Sequence, residues 1–361
     1  MMNQTTIEGL ISLLQTAFGN VPKNLAKYVD FKSIYELSRQ QEVVAIALDG
    51  LQKLIDEQPQ LASLQALKAN KLQWIGSMMA QEAHYEANLV SAQELSALYA
   101  DNEMITYVLK GFSLSQLYPI PSHRFSCDLD CFLLPQKGKF DAYEFGNSLV
   151  AAKGIKVDTS YYKHSVFAYK GLMVENHRYC CSVKRSKRTR HLESYLQSLL
   201  KNYTPDYIKG TCLALPPQLF QALFMIEHAN GHFLYSKMNL KQVCDWAMMR
   251  KAFHNTLDWV EFDRQCQCFG LTNFVVCMNH LADYVLGRST YADLRAIDKK
   301  VLDDIFKPIR LSPNPMKQRI EKAWGMLCSS WKFKNFCADS MLKELSHSVW
   351  AYLREDNPEL D

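Results

Sequence analysis

Apolar positions in the first hundred residues recur at three- and four-residue intervals. Ile7, Leu10, Ile11, Leu14 and Phe18 form one series, and Val43, Val44, Ala47, Leu51 and Leu54 form another. That spacing predicts amphipathic helices. Ser63–Tyr99 contains few breakers, Gly76 among them, and predicts a single long helix; Gly50 falls inside the second series and weakens the helix expected there. The rhythm changes after Asn102. Ile105–Leu109 is short, β-branched and aromatic, which predicts a strand. Ser113–Tyr118 predicts a short helix with Ser113 as its cap, ended by Pro119 and Pro121. Asp128–Leu134 predicts a second strand, and Asp141–Ala152 a helix stopped by Gly154. Ile155–Tyr162, Ser165–Tyr169 and Leu172–Tyr179 are strand-like stretches separated by turn signals. Helical patterns return from Leu192, with breaks at Leu215-Pro216-Pro217 and across Leu311 to Pro315. The expected architecture is α+β: a small mixed-sheet core at residues 101–190, between an N-terminal helical region (1–100) and a C-terminal helical domain (191–361).

Composition narrows the class without naming a function. The chain has 361 residues, 48% hydrophobic and 22% charged, enough to bury a large core in more than one unit. A net charge of +4 is too small to argue for nucleic acid by itself. The 11 cysteines are scattered, with one adjacent pair (Cys180-Cys181) and one C-x-C (Cys266, Cys268), which fits reduced thiols in a cytoplasmic protein better than a disulfide framework. The first twenty residues lack the basic and apolar regions of a signal peptide, and no run of 18 apolar residues would span a membrane. Glycine-rich nucleotide loops and the G-x-S-x-G elbow are absent.

Candidate chemistry concentrates at Asp128-Leu129-Asp130, at the mouth of the predicted strand. Alternate residues of a strand point to one face, so the two carboxylates lie about 6–7 Å apart along it. At ~6 Å and an effective dielectric of ~20 they repel by roughly 3 kcal/mol, which a fold tolerates mainly when a cation sits between them. The plain alternative is a turn-capping Asp128 beside a solvated Asp130. Glu175 and His177 share a face of the last strand-like segment. If that strand lies beside the first, Glu175 adds a third hard oxygen ligand, a set that suits Mg²⁺, or Mn²⁺ in its place. Lys184 to His191 is the strongest basic run, either a solvated loop and helix start or an attraction for triphosphate or an acidic acceptor. His228 and His232 share a helix face but lack the rest of a zinc ligand set at recognisable spacing.

A strand, a glycine–serine turn into a helix, a strand bearing D-x-D and a later strand with one acid together resemble the polymerase-β-like nucleotidyltransferase superfamily. The chain is more closely similar to a bacterial nucleotidyltransferase family within it. Leu109-Lys110-Gly111, Leu117-Tyr118, Arg124, Asp128-Leu129-Asp130, Lys163-His164 and Glu175-Asn176-His177 carry that likeness in order. His228, His232, Asp245 and Asp258-Trp259 continue it, over roughly residues 65–290. Two departures stand out: Phe112 intervenes between Gly111 and Ser113, and the gap to the acids is long and holds two prolines.

The resemblance implies transfer of a nucleoside monophosphate from an NTP to a hydroxyl or amine, with pyrophosphate leaving. Asp128, Asp130 and Glu175 would be the catalytic, metal-holding acids. Gly111 would let the backbone approach the phosphates, and the amides near Ser113 would bind anionic charge. Lys110 would point to the β- and γ-phosphates or stand solvated at a strand end. Arg124 would pair with the leaving group or form a salt bridge with Asp128 or Asp130. His177 would orient Glu175, act on the acceptor, or be structural. The acceptor is open among small molecule, protein and RNA, and no feature of the sequence addresses oligomeric state. The alternative function is a nucleotide sensor that keeps the fold without turnover, although retention of all three mutually repelling acids argues against it.

Overall fold

The computed structural model describes residues 4–19, 30–59, 61, 65–307 and 329–337. The first elements are helical, as their periodicity predicts: α1 (Gln4–Ala17), α2 (Phe31–Gln40), α3 (Val44–Glu57) and the 36-residue α4 (Gln65–Ala100). The anomalous Gly50 has a packing reason. A Cβ built there would lie 1.9 Å from the Leu13 carbonyl oxygen, so the missing side chain is what lets α3 lie against α1. Along α4 the buried face changes partner. Leu67 and Trp74 join the core shared with α1–α3, where the Trp74 indole donates to the Val44 carbonyl (2.8 Å). Tyr85, Ala92, Leu95 and Tyr99 join a second core beneath the sheet.

The sheet is assembled from β1 (Met104–Val108), β2 (Asp128–Pro135), β3 (His164–Tyr169), β4 (Leu172–His177) and β5 (Leu213–Ala214), in the order β3-β4-β2-β1-β5. β4 runs parallel to β2 and β5 parallel to β1, while β1–β2 and β3–β4 are antiparallel. Between these strands stand α5 (Phe112–Ser115), α6 (Ala142–Ala152) and α7 (Lys187–Leu200). The alternation of β2 divides its side chains cleanly. Leu129, Cys131 and Leu133 enter the second core with residues of α4 and α6, while Phe132 enters the first core together with Tyr107 of β1. Asp128 and Asp130 share the Phe132 face.

That first core is continued by α8 (Gln218–Tyr235), α9 (Leu240–Ala252), α10 (Trp259–Cys268), α11 (Thr272–Val285), α12 (Ala296–Phe306) and α13 (Ser330–Phe336). It joins the N-terminal helices to the later ones: Gln15 donates to the Tyr284 carbonyl (2.8 Å), and the Leu240 amide donates to Gln41 (2.9 Å).

Two expectations are corrected, and one strand is new. Ile155–Tyr162 forms no strand. It contributes one bridge, Asp158 to Val166, before the Asp158 carboxylate accepts from the Ser160 amide (2.9 Å) and turns the chain. The helix expected over Ser113–Tyr118 spans Phe112–Ser115, and Gly111 precedes it with φ +65°, so Ser113 lies within the turn instead of capping it. β5 lies just before the proline pair and was not anticipated; two residues are too few for a pattern. The break expected across Leu311 to Pro315 lies outside the described residues.

Candidate active site

Register brings the acids together. In the parallel pairing of β2 with β4, Asp130 is the direct neighbour of Glu175 and Asp128 the neighbour of Met173. Side chains of paired residues point to the same face, so Asp128, Asp130 and Glu175 converge, with ligand oxygens within 4.8 Å of one another. At that separation each ionised pair repels by at least about 3 kcal/mol at an effective dielectric of ~20. Asp130 is fully buried, and its Oδ2 accepts no hydrogen bond among the described residues. Its other oxygen takes Lys110 Nζ at 3.1 Å and His177 Nε2 at 3.2 Å.

These contacts set the electrostatics. The charge of Asp130, reinforced by burial, pushes the Asp128 carboxyl above the usual range. Burial works on Glu175 in the same direction, but hydrogen bonding to His177 and the Lys110 charge outweigh it and hold the carboxyl at about 2. Burial disfavours the Lys110 ammonium, yet the charges of Asp130, Asp128 and Glu175 raise its pKa above the ordinary lysine value. His177 follows the same logic: desolvation lowers it, and hydrogen bonds to Asp130 and Glu175 more than reverse that. Three oxygen ligands, one of them a buried orphan, fit a hard divalent cation.

Beside Asp128 opens a cavity of about 300 Å³ between the sheet and α8–α9. Lys110, Gly111 and Arg124 line it from the sheet side, and His228, His232 and Lys241 from the helices. Gly111 is needed for its positive φ and for space: a Cβ there would lie 2.7 Å from Ser126 Oγ. Ser113 does not line this cavity, and its buried hydroxyl has no hydrogen-bond partner among the described residues. Arg124 pairs with neither acid of the D-x-D. Its guanidinium instead grips Asp245 of α9 in a bidentate pair, Nε–Oδ1 3.0 Å and Nη2–Oδ2 2.7 Å. Burial pushes His228 well below its ordinary pKa, assisted by the charges of Lys110 and His232, so it is neutral.

Two residues of the neighbourhood escaped the sequence. Lys241 lies one helical turn before Asp245, forms an ion pair with Glu42 and faces the cavity; the four-residue spacing was the available signal. His164, noted only for the likeness of Lys163-His164, sits with Nδ1 3.3 Å from Glu175 Oε2. The basic run at 184–191 is largely engaged structurally. Lys184 lies 4.1 Å above the Tyr162 ring centroid, Arg185 lies 3.8 Å above that of Tyr235, and Ser186 caps α7 in a capping box with Thr189.

A mixed sheet flanked by helices, with a carboxylate cluster on adjacent parallel strands beside a cavity, defines an α+β protein with a candidate divalent-metal centre. The family model of uncharacterised nucleotidyltransferases matches residues 27–287, and the chain belongs to that family. Comparison with curated proteins and with solved structures gives no match.

Proposed function

We propose that the chain is a metal-dependent nucleotidyltransferase of the polymerase-β-like kind, moving a nucleoside monophosphate from an NTP to a hydroxyl or amine. The observation that carries this reading is the Asp130–Glu175 register, which gathers three carboxylates within 4.8 Å in a chain of a nucleotidyltransferase family. The acceptor oxygen or nitrogen attacks the α-phosphorus in line. The bond from that phosphorus to the β-phosphate bridging oxygen breaks, its electron pair leaves on pyrophosphate, and the acceptor's proton passes to solvent.

Asp128, Asp130 and Glu175 would hold Mg²⁺ or Mn²⁺, which supplies charge neutralisation at the phosphates and a more acidic acceptor hydroxyl. The chain's own residues supply position. The cavity beside Asp128 suits a triphosphate by its size and by its cationic groups, Lys110, Lys237 and Lys241. Gly111 lets the backbone approach that cavity. Arg124, locked to Asp245 of α9, forms part of the cavity wall and ties the approach to β2 to that helix.

The test is incubation of the full chain with each of the four α-labelled NTPs, Mg²⁺ or Mn²⁺ and cell extract. The reading predicts a labelled acceptor, one pyrophosphate per transfer, and loss of both in Asp130→Asn. Absence of binding and labelling with every NTP overturns it; binding without pyrophosphate release supports the sensor alternative.

A further inference from the structure

We propose that His164, Glu175 and His177 form a second divalent-cation site, with mixed nitrogen and oxygen ligands, that shares Glu175 with the carboxylate cluster. The inference rests on reading this sheet face as a metal-dependent transferase centre and adds the kind of cation the centre takes.

The sheet builds the trio directly. His164 and His177 are paired across β3 and β4, and Glu175 precedes His177 by two residues, so all three side chains project from one face. Their candidate ligand atoms lie within 4.8 Å of one another. His164 Nδ1 and His177 Nε2 approach the same oxygen, Glu175 Oε2, at 3.3 and 3.4 Å. The rings meet edge to face, with centroids 5.0 Å apart and planes at 79°, which lets both nitrogens converge where a stacked pair would turn them parallel. Both histidines are buried.

The orientation of His177 is the second argument. Its Nδ1 faces the Tyr179 carbonyl at 3.2 Å, an acceptor only, so that nitrogen donates and fixes the ring. Nε2 is left turned toward Asp130 and Glu175. A ring anchored through one N–H on a backbone carbonyl, with its other nitrogen aimed into an anionic cluster, is how metal-binding histidines are held.

Donor chemistry then separates the two sites. Three carboxylates suit Mg²⁺, whereas two imidazoles and one carboxylate favour Mn²⁺, Co²⁺ or Zn²⁺. The centre would therefore hold two cations of different preference on either side of Glu175.

The experiment uses the full chain, stripped with chelator and titrated with Mn²⁺ and Co²⁺. Calorimetry should show two inequivalent sites, pulsed EPR of bound Mn²⁺ should show coupling to imidazole nitrogen, and excess Mg²⁺ should displace one equivalent only. In the double variant His164→Gln, His177→Gln the nitrogen coupling should vanish and one site should weaken at least tenfold, while Asp128→Asn should weaken the other. The wild-type spectrum needs no variant to fold, and purely oxygen-coordinated Mn²⁺ in it overturns the proposal. So does nitrogen coupling that survives the double variant. Nucleotide transfer by a protein with only oxygen-coordinated cations would sink this site and leave the transferase reading intact. A nitrogen-coordinated cation in a protein that transfers no nucleotide would do the reverse.

Discussion

Arg124 and Asp245, 121 residues apart in sequence, meet in a buried bidentate ion pair that ties the approach to β2 to helix α9. Tyr118 adds its hydroxyl to the same carboxylate at 2.8 Å. Removing one partner of such a pair leaves a charge stranded in low dielectric, which costs about 3–5 kcal/mol. Asp245→Ala is therefore expected to lower unfolding stability by that amount in urea titrations. A double replacement by apolar residues of similar volume, Arg124→Met with Asp245→Leu, should recover most of the loss. A double variant as unstable as the single would show that the pair contributes more than charge compensation.

Asp128 gives the opposite sign. Its pKa in the folded protein is raised, chiefly by Asp130, so its ionised form weakens the metal-free fold at neutral pH. Asp128→Asn should raise the melting temperature in EDTA, by about 2 °C for a gain on the order of 1 kcal/mol. Added Mg²⁺ should stabilise the wild type more than the variant, while nucleotide transfer falls on the order of 10²-fold or more. A lower melting temperature for the metal-free variant would show that the repulsion is already relieved within the protein.

How far this site could be read in advance depends on the range of each interaction. That Asp128 and Asp130 share a face follows from the two-residue period of a strand and needs no partner. That Glu175 lies beside Asp130 depends on the parallel crossover from β2 through α6 and β3 to β4, which no local pattern encodes; only the family likeness pointed there. Arg124 illustrates the limit. Its charge was legible, but the choice between nearby Asp128 and distant Asp245 is made by the packing of α9. Ile155–Tyr162 failed for a local reason: Ile155 and Val157 alternate as a strand should, but Asp158 bonds the Ser160 amide and ends the extension.

Gly50 tests the contact between α1 and α3. In an exposed helix, Gly→Ala gains roughly 0.5–1 kcal/mol from backbone entropy. Here the new methyl would meet the Leu13 carbonyl oxygen at 1.9 Å and its carbon at 2.7 Å, both backbone atoms that cannot rotate away. Overpacking of this kind costs typically about 1–3 kcal/mol, so the net sign reverses. Gly50→Ala should be destabilising in chemical denaturation. A neutral or stabilising result would mean that the two helices separate at little cost.

His123 makes stability depend on pH. Its ring bridges two helices, with Nδ1 2.7 Å from Asp49 of α3 and Nε2 2.9 Å from Glu82 of α4. Burial alone would lower its pKa, but the two carboxylate hydrogen bonds reverse that and raise it above the ordinary value. A raised folded-state pKa means that the imidazolium contributes stability fully below the unfolded value of about 6.5, and that this contribution is lost as pH rises through the higher folded value. Melting temperature should therefore fall between about pH 6.5 and the folded-state pKa by more in the wild type than in His123→Gln, which cannot titrate. The difference between the two curves should be largest on the acid side and level off above the folded-state pKa. Parallel curves across that window would mean that His123 is neutral throughout and bridges Asp49 and Glu82 without a charge.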